Sequence, residues 1–224
     1  LYKYKTKRIM RKISIALLAG LLSLGCLNAQ DAKVETNQFT VVKELPITSI
    51  KDQGNSGTCW SYSTIGFLEA ELLRMGKPEY DLSDMFVVSH SYRDKADKYV
   101  RLHGKLNFGQ GGSFYDVLYV FKHYGAVPEE VMTGINYGTK RNAHNEMADA
   151  AKGYLDAIVK NSNEKLSPIW RKAFGAMIDG YLGELPQSFT YKGKSYTPMT
   201  FAKSLGINAD DYVSLTSYTH HPFY

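Results

Sequence analysis

The 224 residues carry 44% hydrophobic and 22% charged side chains, enough to bury one or two real cores, which excludes a disordered chain. The formal net charge of +5 is concentrated: Lys3, Lys5, Lys7, Arg8, Arg11 and Lys12 precede the first acid, Asp31, so from Gln30 onward 21 basic residues face 22 acidic ones. The bulk of the chain is near neutral, and a nucleic-acid partner has no electrostatic support.

The basic start is followed by an apolar run, Ile13 to Gly25, and by Leu27-Asn28-Ala29, which offers a small residue for cleavage. That order reads as an export signal over residues 1–29, with a run too short to span a bilayer. The expectation is a periplasmic or secreted protein. Ser23-Leu24-Gly25-Cys26 is an imperfect lipoprotein box and makes a lipid anchor at Cys26 the second choice. Without the leader a single cysteine, Cys59, remains. An exported chain with one thiol gains no internal disulfide, so the thiol is either incidental or kept for its reactivity.

Phe39 to Val42 reads as a short strand and Glu44 to Ile50 as an extended run held by Pro46. A polar, glycine-broken loop follows from Gln53. Then Ile65, Leu68, Leu72 and Met75 recur at helical spacing, with Gly76 as a stop. This places Cys59 in the first turn of a helix, where unpaired backbone N–H groups and the positive dipole end favour a thiolate over a thiol. Gln53, six residues earlier, has a side-chain amide able to aim an N–H at a carbonyl oxygen under attack, beside the N–H of Cys59.

Ser83 reads as the N-cap of a helix running towards Arg101, with Leu82 and Val87 placed as a hydrophobic staple. The loop Asn107 to Gly112 needs its glycines, and the pair Gly111-Gly112 lets an extended peptide lie against bare backbone. Ser113 caps the next helix, which Gly125 closes. From Gly138 the pattern predicts a helix over Asn142 to Lys160 and another after Ser167-Pro168 carrying Trp170, Phe174, Met177, Ile178 and Tyr181. A hairpin of Phe189 to Tyr191 with Ser195 to Thr197, a short helix to Leu205 and a strand at Tyr212 to Thr216 complete the chain. No cluster of His, Cys or carboxylates has ligand spacing, so no metal or organic cofactor is expected.

Ile47-Thr48-Ser49-Ile50-Lys51-Asp52-Gln53-Gly54, then Ser56-Gly57-Thr58-Cys59-Trp60, resembles the approach and nucleophile segment of papain-like cysteine peptidases. Leu82-Ser83-Asp84 and Gly111-Gly112 extend the resemblance. Where one branch of that family has a further Cys, three residues before the nucleophile, this chain has Ser56. That branch's disulfide therefore cannot form, and the serine is similar to the self-compartmentalising bleomycin hydrolases and aminopeptidase C enzymes. The resemblance implies an α+β, papain-like fold represented mostly by its helical lobe: a catalytic lobe over residues 30–137, then a helical insertion and the incomplete start of a second lobe over 138–224. Leu182-Gly183-Glu184-Leu185-Pro186 with Phe189-Thr190-Tyr191 and Thr197-Pro198 looks like the exit of that insertion. It further implies hydrolysis of a peptide substrate through a thioester at Cys59. Gln53 would be the oxyanion donor, Gly111 and Gly112 would bind substrate backbone and Trp60 would pack beside the site. Aminopeptidase action and a homo-oligomer are implied by resemblance alone.

Such a peptidase also needs a His base and an Asn to orient it, far downstream of the Cys. His90, His103 and His123 lie on or beside helices close to the nucleophile in sequence, and His144 starts the inserted helix. His220 and His221 are followed only by Pro222, Phe223 and Tyr224. The Asn-Ser-Trp context of the orienting residue is absent, the last tryptophan being Trp170. The expectation is that the 224 residues alone are weak or inactive while the full gene product is a peptidase. The competing expectation is an exported binding or interaction protein that keeps the scaffold without catalysis.

Overall fold

The computed structural model describes residues 39–162, 164–213 and 215. The export leader and His220 and His221 lie outside the described residues. Residues 1–44 and 45–224 form separate units. Within the first, the described residues 39–44 carry no regular structure and are exposed. The strand expected at Phe39 to Val42 is therefore absent: Phe39 and Val42 are 89% and 96% exposed, and no described strand pairs with them to satisfy their backbone.

The second unit is built on helices. α1 spans Cys59–Arg74, α2 Asp84–Arg101, α3 Phe114–His123, α4 Asn145–Lys160, α5 Ile169–Leu182 and α6 Pro198–Leu205, with β1 (Phe189–Tyr191) and β2 (Lys194–Tyr196) between α5 and α6. Short 3-10 turns occupy Glu129–Val131 and Ala209–Asp211. α2 is the central helix, packing against α1, α3, α4 and α5. Its composition suits that position, because Phe86, Val88, Tyr92, Ala96 and Tyr99 bury several faces rather than one stripe. Each large apolar side chain removed from water there contributes about 1.5–3 kcal/mol.

Local signals explain where the helices begin and end. Ser83 caps α2 by accepting the Phe86 N–H at 3.0 Å, and Ser113 with Asp116 forms a capping box on α3. Gly125 ends α3 with φ +92°, and a Cβ there would lie 2.3 Å from the Pro198 carbonyl carbon. In α1, Trp60, Thr64, Ile65, Leu68 and Leu72 form the buried face. Met75, expected on that stripe, is instead the C-cap and 40% exposed.

The β1–β2 pair is antiparallel with Phe189 opposite Tyr196, joined through Lys192 (φ 48°) and Gly193 (φ 77°). Positive φ at both central residues matches the right-handed twist of the strands and moves the turn one residue earlier than the sequence suggested. Around Phe201 on α6 the rings of Tyr80, Phe189, Tyr191 and Tyr196 pack at 5.5–6.1 Å. Tyr212 and Val213 belong to no strand, and the rest of the strand expected there falls partly outside the described residues. α4 begins at Asn145 rather than Asn142, because residues 142–144 pair with the loop before Cys59 instead.

Candidate active site

The segment approaching Cys59 is anchored by one half-buried ammonium. Lys51 Nζ lies 2.9 Å from Glu69 Oε1, 2.8 Å from Asp81 Oδ1 and 3.3 Å from Asp84 Oδ2, and donates to the Leu82 carbonyl at 2.7 Å. Glu69, only 1% exposed, also accepts from Thr48 Oγ1 at 2.6 Å and from the Leu82 N–H at 2.8 Å. Burial opposes the Lys51 charge, but Asp84, Glu69 and Asp81 outweigh it and hold the lysine protonated above its usual range. Acid exceeds base in this cluster. Burial therefore raises the Asp84 carboxyl to about 7 and the nearby Glu129 carboxyl to about 8 despite Lys51.

From this anchor the chain turns into the loop before Cys59. Gln53 Nε2 donates to the Ser56 carbonyl at 2.7 Å, and Ser56 Oγ returns a bond to the Gln53 carbonyl at 2.8 Å. The Gln53 amide keeps a second N–H with no described partner. Ser56 Oγ and Thr58 Oγ1 share a hydrogen bond of 2.6 Å in the interior. Thr58 thus spends its hydroxyl inside the loop and does not cap α1. The N–H groups of Cys59 and Trp60 stay uncommitted at a helix start whose first residue is an exposed free thiol.

Two loops flank that start. On one side, Gln110 accepts the Gly57 N–H at 2.6 Å through Oε1, and its backbone carbonyl accepts Trp60 Nε1–H at 3.0 Å. A Cβ on Gly112 would fall 2.6 Å from the Trp60 ring, so only glycine fits there; Gly111 faces open space. Lys95 donates to the Gly111 carbonyl and sits 5.3 Å from the Trp60 ring centroid. Burial lowers its pKa. The Gly111 N–H and both backbone groups of Gly112 have no partner among the described residues, leaving bare backbone for an extended chain.

On the other side, Asn55 and Ala143 form a parallel bridge: the Asn55 N–H donates to Asn142 O at 2.8 Å and the His144 N–H to Asn55 O at 3.0 Å. Asn142 Nδ2 donates to Tyr62 OH at 2.7 Å. An open cleft of about 470 Å³ lies along this seam, lined by Gly54, Asn55 and residues 139–143. Arg141 caps its edge, paired to Asp52 at 2.7 Å, and the guanidinium holds the Asp52 carboxyl below its usual range.

The structure thus brings Cys59, Trp60 and Gly112 together and links Gln53 to them through Ser56. None of the described histidines hydrogen-bonds Cys59. His90 stacks on Tyr124 at 4.1 Å, and burial followed by the Arg93 charge lowers its pKa to about 3. His103 and His123 are exposed. His144 is fully buried with neither ring nitrogen partnered, and burial lowers its pKa to about 4. Gln110 and Lys95 were not singled out by the sequence reading, since their contacts reach across 53 and 16 residues and leave no local pattern. Among the described residues no group of three or more His, Cys, Asp or Glu is placed to hold a metal ion, and no described helix is long and apolar enough to cross a membrane.

The papain family cysteine protease profile matches residues 35–169, more than half the chain. Aminopeptidase G of Lactobacillus delbrueckii subsp. lactis is 24% identical over 221 residues, covering 80% of this chain and 49% of that protein. The crystal structure of PepW from Lactobacillus rhamnosis has the same fold over 77% of this chain and 47% of its own, with a TM-score of 0.53 at 20% identity. The chain spans about half the length of these relatives. Its helical unit with one short antiparallel pair is a part of their α+β architecture, and the chain belongs to the papain family of cysteine proteases.

Proposed function

We propose that Cys59 is the nucleophile of a peptidase acting on peptide amides, an aminopeptidase in the sense of the relative's name. One observation carries the reading: an exposed thiol is the first residue of a helix whose first two N–H groups have no partner among the described residues, beside the Gly111 N–H and the Gly112 backbone, which have none either. The thiolate sulfur bonds to the substrate carbonyl carbon, and the oxyanion takes the Cys59 N–H and the free N–H of Gln53. Collapse expels the amine, which needs a proton, and water then cleaves the thioester. Gly111 and Gly112 bind substrate backbone, while Trp60 holds the wall in place. In this reading the base and its orienting partner lie outside the described residues. The division into a catalytic lobe over 30–137 and an insertion beyond 138, export through residues 1–29 and homo-oligomerisation belong to the same reading.

The test is the product of the whole reading frame, assayed on aminoacyl coumarin amides. Cys59→Ala removes at least about 1000-fold of the activity, and the 224 residues alone show little or none. Hydrolysis that survives Cys59→Ala overturns the assignment. The second reading, an exported binding protein without catalysis, is favoured by the lack of any described histidine bonded to Cys59. Iodoacetamide separates the two: rapid alkylation below neutral pH marks a nucleophile, whereas a profile rising near pH ~8.5 marks an ordinary thiol.

A further inference from the structure

We propose that Gln110 is a positioning residue for Cys59, fixing the nucleophile loop to the glycine wall so that a bound peptide and the thiol keep one separation. The proposal rests on the peptidase reading above. Gln110 bonds both sides of the nucleophile: its Oε1 accepts the N–H of Gly57, two residues before Cys59, and its carbonyl accepts Nε1–H of Trp60, the residue after it. Gln110 is also the residue immediately before Gly111. One amino acid therefore spans the gap between the reacting atom and the surface on which substrate lies.

The surrounding residues are fitted to this contact. A Cβ on Gly57 would meet Gln110 Cβ at 2.9 Å, so the glycine before the thiol makes room for the glutamine. Gln110 Nε2 donates to Asn145 Oδ1 at 3.2 Å, which turns Oε1 towards Gly57. Lys95 bonds the carbonyl of Gly111 and lies over the Trp60 ring, but it makes no bond to the loop before Cys59. Gln110 alone of these side chains bonds that loop and stands in the wall. Because it is half-buried and its side chain reaches only polar partners, its removal spares the core. The loss falls on alignment, to which reactions between held partners are sensitive.

The experiment compares two alkylating reagents on the 224-residue chain, each rate divided by its rate with free cysteine. Iodoacetamide needs only the thiolate. A dipeptidyl chloromethyl ketone needs the thiolate and the wall, and both reagents lose halide as the C–S bond forms. Their ratio at one pH cancels any change in thiolate fraction. The wild type shows a ratio well above one. Gln110→Ala lowers it about tenfold, the size of one strong hydrogen bond, with the iodoacetamide rate unchanged. Gln110→Glu, which keeps an acceptor for Gly57 N–H, restores it. Gln110→Met, of equal length without polar atoms, matches Gln110→Ala and serves where the alanine variant melts early. An unchanged ratio in Gln110→Ala or Gln110→Met overturns the proposal and leaves the peptidase reading standing. A parallel fall in both rates overturns it in favour of a purely structural role. A wild-type ratio near one overturns it together with the reading beneath it.

Discussion

The two flanks of the loop before Cys59 are secured by different means. Towards residues 142–144 the tie is backbone to backbone, Asn55 exchanging bonds with Asn142 and His144. Towards the glycine wall the tie runs through side chains, Gln110, Trp60 and Lys95. Backbone pairing survives most substitutions but requires close approach of two main chains. Side-chain pairing is lost atom by atom when one residue changes, and it places recognition under the control of single residues. The flank tied through backbone lies away from the wall proposed to take substrate, and the one tied through side chains forms that wall.

Lys51 tests what both flanks share, because the segment it anchors precedes the loop. Lys51→Met leaves Glu69 and Asp84 buried without their cation. Breaking a buried ion cluster on one side costs about 3–5 kcal/mol. The urea midpoint falls accordingly, and both flanks loosen together in amide exchange at Gly57 and at His144.

Gly54 breaks the backbone flank alone. Its φ is +59°, and a Cβ would lie 2.6 Å from Asn142 O and 2.9 Å from Asn142 N. Gly54→Ala adds left-handed strain to a backbone clash, for a loss of about 2 kcal/mol. Exchange at the Asn55 and His144 amides rises, while that of Gly57 on the other flank stays slow.

Protonation separates the backbone flank from the anchor that both flanks share. His144 is neutral when folded, with a pKa of about 4 against 6.5, so the unfolded chain takes up the proton first. The contribution of His144 is present above pH 6.5 and is lost as the pH falls towards 4. Asp84 and Glu129 act in the opposite direction. Their folded values of about 7 and 8 exceed 3.8 and 4.5, so the stability they give is complete below pH ~4 and is lost as the pH rises through 7 to 8. His90, with a folded value of about 3 against 6.5, acts with His144. The two imidazoles offset the two carboxyls between pH ~4.5 and ~6.5, so stability is level there and declines on both sides, measurable as urea midpoints against pH. Asp84→Asn flattens the alkaline limb. His144→Leu flattens the acid limb and, by removing two unpartnered nitrogens, stabilises the neutral protein by about 1 kcal/mol.

Much of the helical unit is legible in the sequence because caps and 3.6-residue periodicity are local. Ser83, Ser113 and the run from Cys59 to Gly76 mark boundaries that the structure meets within two residues. The strand expected at Phe39 to Val42 failed because a strand exists only with a neighbour, which short apolar runs do not specify. Asn142 was read as helical for a related reason: its amide is committed to Tyr62, 80 residues away. The candidate site divides in the same manner. The placing of Cys59 at a helix start follows from a glycine-rich loop meeting a periodic segment, whereas Gln110 is an ordinary glutamine until the fold carries it to Gly57.

The smallest change separates the two bonds that Gln110 makes across the thiol. Trp60→Phe keeps an aromatic ring against Gly112 and beneath Lys95 but removes the Nε1–H that reaches the Gln110 carbonyl at 3.0 Å. Water reaches a half-buried carbonyl, so the orphaned acceptor is partly satisfied and the loss stays near 0.5–1 kcal/mol. The Gly57–Gln110 bond lies on the other side of Cys59 and remains, so amide exchange at Gly57 stays slow in Trp60→Phe and accelerates in Gln110→Ala. Equal acceleration in both variants would mean that the two bonds form one cooperative unit. The side-chain flank would then break as a whole, as the backbone flank does in Gly54→Ala.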